Sequence, residues 1–422
     1  MRSRILRTVG LALAAVSLPA AALAQVDGAE RIDEVRKESR GHLGPFYVTP
    51  TILLKELGID SNVFNAAGEP ESDFTFTAAP AADVWVPVAR RALFQLTGGS
   101  DLVWYATFDS ERSIDPQVAG RAEIYLHRIT LFAATDYLNT RQRLNYEVDL
   151  RARHIERDST AGVAVHLTPK FSVEVAGRID DTRFDADASF DGVSLQRTLN
   201  QKTVGASLAA RHKVTPLTTV VVRYEQAEDS FAFSPERDSK SFRVMPGVEF
   251  KPRALIKGSA YVGYRRFTPE AADVLPEFSG LVAQLGLSYT LLGSTSFGVT
   301  YTRDLTYSYE ERQPFFINNS VGASIRRALG RRFDVLVSAD RHQYVYEDLL
   351  AAPAAVDVIE VIPAKPAAQR VDSTWNYSGS VGYRIGRGRI GFGFSYWQRD
   401  SRTKSFRAYD NLRFGTTVTY GF

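Results

Sequence analysis

Ser338, Asp340 and His342 come nearest to a catalytic set in this chain: a hydroxyl, a carboxylate and an imidazole at every second position. On a β-strand that spacing puts all three on one face. Residues two apart on a strand stand ~6–7 Å apart, too far for a nucleophile–base contact of ~2.6–3.2 Å. A working triad would need partners from neighbouring strands, and the sequence names none. The remaining histidines, His42, His127, His154, His166 and His212, offer no pair at zinc-ligand spacing, and there is no cysteine. Acidic doublets such as Asp180-Asp181 read as solvated loop edges. Gly386-Arg387-Gly388 falls at a turn and does not open a helix, so it is no phosphate cradle. The chain is expected to be no enzyme and to carry no metal and no cofactor.

The charged residues gain a different meaning from the elements that must hold them. From Gly44 onward the chain is a series of alternating segments of about ten residues, a dyad rhythm and not a helical one. In 281–291, Leu281, Ala283, Leu285, Leu287, Tyr289 and Leu291 oppose Val282, Gln284, Gly286, Ser288 and Thr290. Segments 171–177, 204–210, 242–250, 333–339, 375–383 and 390–396 repeat the pattern. One face of each strand suits lipid and the other suits water. Lipid leaves no backbone group unpaired, so open sheet edges are forbidden and the strands must close into a cylinder. Parity then aims Glu174, Arg178, Arg211, Arg223, Glu225, Arg243, Glu249, Lys257, Arg265, Asp304, Arg326, Asp334, Asp340, Arg384 and Arg413 inward as candidate pore-lining groups. Turned outward at mid-membrane, each Arg or Lys would cost up to ~2–4 kcal/mol.

Turns fall into two alternating classes, short ones such as Thr168-Pro169-Lys170 and Gly330-Arg331, and long charged ones such as 59–72, 109–117, 141–155 and 347–373. That is the asymmetry between the periplasmic and extracellular ends of outer-membrane barrels. The fold class expected is therefore all-β: a transmembrane antiparallel up-and-down barrel of about eighteen strands, wide enough for an aqueous channel. Sixteen is the alternative count, because Arg128-Ile129-Thr130 is a poor turn and 118–140 reads as either one strand or two. Aromatics near strand ends (Tyr261, Tyr264, Phe267; Tyr301, Tyr307, Tyr309; Tyr344, Tyr346; Tyr396, Trp397) are expected to form interfacial girdles. The basic stretch 141–157 could grip lipopolysaccharide phosphates or an acidic polymer. Glu147, Asp149, Glu156 and Asp158 neutralise it, and the reading preferred is a solvated extracellular loop. The Ala- and Pro-rich stretch 351–368 is expected to be a mobile surface loop in preference to one folded into the pore, with 347–373 the long candidate for a loop inside the bore.

The ends of the chain fit that scheme. Arg2, Arg4 and Arg7 precede an apolar run and Ala22-Leu23-Ala24, so 1–24 reads as a secretory signal peptide. Residues 25–43 form a short polar periplasmic segment with a helix over 30–37, and 44–422 form the barrel. Phe414, Val418, Tyr420 and Phe422 share one face of the last strand, which resembles the terminal insertion signal of bacterial outer-membrane barrels. A net charge of +3 from charges of both signs argues against nucleic-acid binding. No apolar run after the leader reaches the ~18 residues of a membrane helix.

Gly58-Ile59-Asp60-Ser61-Asn62-Val63-Phe64, together with Thr-Pro turns in 166–170 and 213–218, resembles the putative beta-barrel porin type 2 family. The similarity runs from about Phe46 to Phe422. It implies an outer-membrane porin that accompanies exopolysaccharide export and brings no catalytic residues. The implied partners are outer-membrane lipid and lipopolysaccharide, the barrel-insertion machinery, a secreted polysaccharide and periplasmic export components. A general or nutrient-selective diffusion porin is the alternative, and a barrel enzyme or a structural barrel with a blocked lumen is the third reading.

Overall fold

Strand period and turn chemistry together produce one sheet that returns to its own first strand. A computed structural model describes residues 28–252, 254–350, 369–401 and 405–421. The expected leader, the stretch 351–368 and Phe422 lie outside the described residues. The chain opens with helix α1 (Gly28–Glu38) and the short strand β1 (Gly41–Leu43), followed by β2 (Phe46–Asp60), β3 (Asp73–Val88) and β4 (Ala92–Tyr105). Next come β5 (Ser113–Tyr125), β6 (Ile129–Thr140), β7 (His154–His166) and β8 (Phe171–Phe184). A long loop then holds β9 (Ser189–Phe190), β10 (Val193–Ser194) and helix α2 (Leu195–Leu199). Strands β11 (Gln201–Thr215), β12 (Thr218–Phe231), β13 (Ser239–Phe250), β14 (Ile256–Pro269) and β15 (Phe278–Leu291) continue the wall. The wall ends with β16 (Thr295–Tyr307), β17 (Phe315–Leu329), β18 (Phe333–Glu347), β19 (Val371–Ile385), β20 (Gly388–Ser401) and β21 (Tyr409–Tyr420).

Leaving aside β1, β9 and β10, eighteen strands each pair antiparallel with the next, and β2 pairs with β21 to close the ring. Strands β5 and β6 are two and not one, joined where the Leu126 N–H donates to the Ile129 carbonyl at 2.8 Å. The turn, 126–128, sits two residues earlier than the weak Arg128-Ile129-Thr130 signal. Likewise, the stretch 109–117 is only half loop, because β5 begins at Ser113. At the seam Ile52 faces Tyr420 and Asp60 faces Arg413, and β2 bulges between Leu54 and Leu57. Gly58 and Gly415 face each other there, so close that a Cβ on Gly58 would fall on the Phe414 carbonyl oxygen.

Apolar side chains at alternate positions form the outer belt: Val175, Val204, Leu208, Val222, Val262, Leu281, Val337 and Phe392 are all exposed. Fully burying such a side chain is worth ~1.5–3 kcal/mol, so a belt of them is at home in lipid. The inner face carries the opposite parity, with Ala209 and Val221 buried beside Arg211. Phe414 and Tyr420 lie on the outer face, exposed.

Both ends carry more than turns. At the short-turn end α1 sits against the mouth: Arg31 lies 3.3 Å from Glu123, Arg90 pairs with Asp33 at 2.7 Å, and Ile32 is buried. At the long-loop end Val148, Ala152, Phe184, Leu195, Leu199 and Tyr309 share an apolar cluster. These loops are packed on one another and do not simply trail into solvent.

Candidate functional site: the barrel interior and its inward loop

Side chains that a strand aims inward must find partners across the wall, since a buried charge without one is costly. Glu174 and Arg211 pair at 3.0 Å and both are buried. Arg211 reaches Glu249 at 3.8 Å, and Glu249 in turn faces Arg223 at 3.9 Å and accepts from the Tyr261 hydroxyl. Arg223 lies 3.7 Å from Glu225, which Arg243 holds at 2.5 Å. Arg243 then bridges to Asp304 at 3.0 Å, and Arg265 joins Asp304 at 2.7 Å. Asp304 stands on β16, three strands beyond Arg243, and on the intervening β15 Gly280 faces Arg265 with the Phe278 ring beside it. The result is a continuous charge-alternating ladder from β8 to β16.

The other inward charges are grouped separately. Arg178 pairs with Asp180 at 2.8 Å, and Asp334 holds Arg384 at 3.2 Å and Arg389 at 2.6 Å. Arg326 shares the inward parity of Ser296, its partner on β16. Arg413 and Asp60 pair at 2.9 Å across the seam. Lys257 and Asp340 face inward and form no ion pair among the described residues. The sequence element Gly58 to Phe64 forms the corner above that pair. Asn62 donates to the carbonyls of Ala66 and Asp410 and accepts from the Ala66 N–H, while the Asp60 carboxylate accepts from the Asn62 N–H.

Ser338, Asp340 and His342 do share the inner face of β18, but they do not act on one another. Ser338 Oγ lies 2.7 Å from Ser378 Oγ, and the His342 ring packs against Tyr146, tilted, with centroids 4.3 Å apart. That second contact overturns the expectation of a solvated loop at 141–157. Tyr146 belongs to the link between β6 and β7, whereas β18 lies nine strands on from β7 in a ring of eighteen. The loop therefore crosses the bore to the opposite wall. Glu147, Val148 and Asp149 are buried. Arg399 of β20 donates to the carbonyls of Tyr146 at 2.8 Å and Glu147 at 3.2 Å, and to the Asp149 carboxylate. Arg399 also holds Asp372 at 3.1 Å. Glu147 accepts from the Ser308 hydroxyl at 2.5 Å, and the Arg407 guanidinium donates to its carbonyl at 2.9 Å. Burial lifts the Glu147 carboxyl above the usual carboxylate range, with Ser308 and the guanidinia of Arg407, Arg370 and Arg399 pulling the other way. Burial likewise pushes the Arg143 guanidinium below its ordinary value.

Neighbouring loops brace this one. Arg237 donates to the carbonyls of Thr198, Ser308 and Pro314, tying three loops with one guanidinium. Arg370 joins Glu310 at 3.0 Å and Asp372 at 2.6 Å. The sequence did hold a signal for the inward loop: Leu144, Tyr146, Val148, Leu150 and Ala152 alternate like a strand within the charged stretch. The expected aromatic girdle is also corrected. Tyr261, Phe267, Tyr307, Tyr309, Tyr344 and Tyr346 pack on the inside, whereas Tyr264, Tyr301 and Tyr396 of the expected set lie on the outer face. Five of these rings are parity-inward or in loops, and Tyr307, of outward parity, turns inside where the end of β16 leaves β15 and its hydroxyl meets Asp229 and Ser239.

No curated protein matches the chain. Solved structures of similar fold include OccK5 (OpdH) of Pseudomonas aeruginosa, at 11% identity over 90% of this chain and 98% of that one, with a TM-score of 0.47. OpdK from the same organism matches at 9% identity over 90% and 99%, with a TM-score of 0.45. The FrpB iron transporter of Neisseria meningitidis matches at 11% identity over 89% of this chain and 64% of that one, with a TM-score of 0.43. An apolar outer belt, a sheet without a free edge and a charged inner wall make this chain an integral outer-membrane β-barrel of porin type, and it belongs to the family described as "Putative beta-barrel porin 2", whose profile matches residues 41–419.

Proposed function

We propose that this porin-type channel serves the secretion of an exopolysaccharide across the outer membrane. The observation that supports it is the chemistry of the inner wall. Its charges are largely tied to one another, as in the ladder from Glu174 to Arg265, so a neutral sugar meets many hydrogen-bonding groups and few that would trap it. Trp397 and His342 present rings in the bore on either side of Tyr146. Flat rings stack weakly on the apolar faces of sugars, and the paired groups accept and donate to hydroxyls. A polymer would move by exchanging such contacts one residue at a time, once the loop 141–153 has swung from the bore. No catalytic step is involved.

The inward loop itself favours a second reading. A loop that narrows the bore suits a diffusion porin that sorts small solutes by size. Deleting the gene discriminates between the two. Loss of surface polysaccharide with unchanged uptake of small nutrients supports export. Intact polymer secretion with slowed uptake of a nutrient replaces the first reading with the second. Absence of conductance steps from the purified barrel at any voltage would sink both.

A further inference from the structure

The basic loop that could have met lipopolysaccharide is folded inward, yet the outer wall carries cations of its own. On the long-loop side, register turns Arg303 of β16 and Arg341 of β18 outward, since Arg303 faces Ala283 and Asn319 and Arg341 faces Val321 and Trp375. Below them on the same face lie the apolar Val299, Ile325 and Val337, all exposed to the membrane. An arginine costs ~2–4 kcal/mol at the bilayer midplane and ~0–1 kcal/mol near the interface, so these two mark the edge of the belt. Three other outward cations at this end are paired with acids: Lys240 with Glu270 at 3.4 Å, Arg266 with Glu277 at 3.8 Å and Arg183 with Asp181 at 2.9 Å; Arg157 and Lys202, on the far side of the ring, both face Asp181 across the ladder. Arg303 and Arg341 form no ion pair among the described residues. Arg303 is instead held by Asn319 at 2.5 Å and by the Leu281 carbonyl at 3.1 Å, and Arg341 lies over the Trp375 ring at 5.2 Å. Trp375 stacks on Tyr377 at 5.8 Å with the rings nearly parallel. Asp400 of β20, an outward acid, stands two strands beyond Arg341 and across Ser373.

We propose that Arg303 and Arg341, with Trp375 and Tyr377, form a site on the lipid-facing wall for the phosphate groups of outer-leaflet lipopolysaccharide. Guanidinium forks suit phosphate oxygens in two-point contact. Two of them, with one strand between them and held by neutral neighbours, concentrate positive charge on this stretch of the rim. The stacked aromatic pair is amphipathic and belongs at headgroup level, where it would cover the sugar and the first acyl carbons. Asn319 and Gln343 add neutral donors in the same row.

The test uses the full chain, purified and folded in micelles, titrated with lipopolysaccharide and followed by retention of bound lipid in native mass spectrometry. The double variant Arg303→Gln, Arg341→Gln is expected to bind at least about tenfold more weakly than the parent. The single variant Lys240→Gln, at an acid-paired cation, is expected to bind as the parent does. Dephosphorylated lipopolysaccharide should bind the parent as weakly as intact lipid binds the double variant, and inorganic phosphate at the same concentration should not displace the lipid. Heat-dependent gel mobility establishes that each variant is a folded barrel. Equal binding of parent and double variant overturns the site, as does undiminished binding of the dephosphorylated lipid. Displacement by inorganic phosphate overturns the lipid as its occupant.

Discussion

Replacing Arg399 by methionine removes the group that fastens the inward loop to the far wall while keeping the length of the side chain. Arg399 is fully buried and reaches two carbonyls and two carboxylates, those of Asp149 and Asp372. Asp372 keeps Arg370 and Ser401, and Asp149 keeps the Tyr409 hydroxyl at 3.0 Å, so neither acid is left wholly bare. Breaking a buried pair by removing one member costs ~3–5 kcal/mol. Because the eighteen-strand wall does not depend on this contact, that energy falls mainly on docking of the loop. At ~1.4 kcal/mol per tenfold, the undocked loop should gain about two to three and a half powers of ten in population. Single-channel recording in a planar bilayer reads this directly: the Arg399→Met barrel should spend more time in wide, high-conductance states than the parent. Tyr146→Ala, which removes the ring packed on His342 without touching the salt bridges, should shift conductance the same way but less. Conductance and open time unchanged in both variants would refute the claim that this loop sets the bore.

Glu147 supplies a pH dependence whose sign can be worked out. Its carboxyl is raised by burial when the loop is docked, so the docked loop binds a proton that the free loop has released. Docking should therefore tighten as pH falls from neutral toward the usual carboxylate range and loosen as pH rises through the raised value. Glu147→Gln keeps an acceptor for Ser308 and should flatten that dependence in the same recordings. In the ladder, Arg211→Met leaves Glu174 buried beside Glu249 and should destabilise the barrel by ~3–5 kcal/mol in urea unfolding, and adding Glu174→Gln should recover much of the loss. Gly58→Val drives a side chain onto the Phe414 carbonyl at the seam, and overpacking of ~1–3 kcal/mol or more should appear as lost heat-dependent gel mobility.

Much of the wall was legible because strand parity has only two answers. Once Leu281 and Leu285 are greasy, Val282 and Gln284 must face the other way, and the register bears this out along β15. The same rule placed Glu174, Arg211, Arg243 and Asp304 on one inner face. What parity cannot say is who meets whom. Arg243 finds Asp304 three strands away, and that depends on curvature and not on sequence distance. The loop 141–153 was misread for the same reason. Its charges look self-neutralising in one dimension, but Asp149 is answered by Arg399, some 250 residues on. Val148 and Tyr146 find their apolar surroundings only after the ring has closed. The aromatics near strand ends were misplaced because rings fit a membrane interface and a packed interior equally well, and only facing tells them apart.

The joint between β2 and β21 has a consequence for unfinished chains. Every other contact between barrel strands joins neighbours in the chain, whereas this one unites the two extremes of the wall. A premature stop codon anywhere before β21 would thus yield not a slimmer tube but a half-pipe, with the rims of β2 and its last strand bare to lipid. Such a product has no stable resting place in a bilayer, so a wall short of its last strand cannot persist there as a leaky partial cylinder.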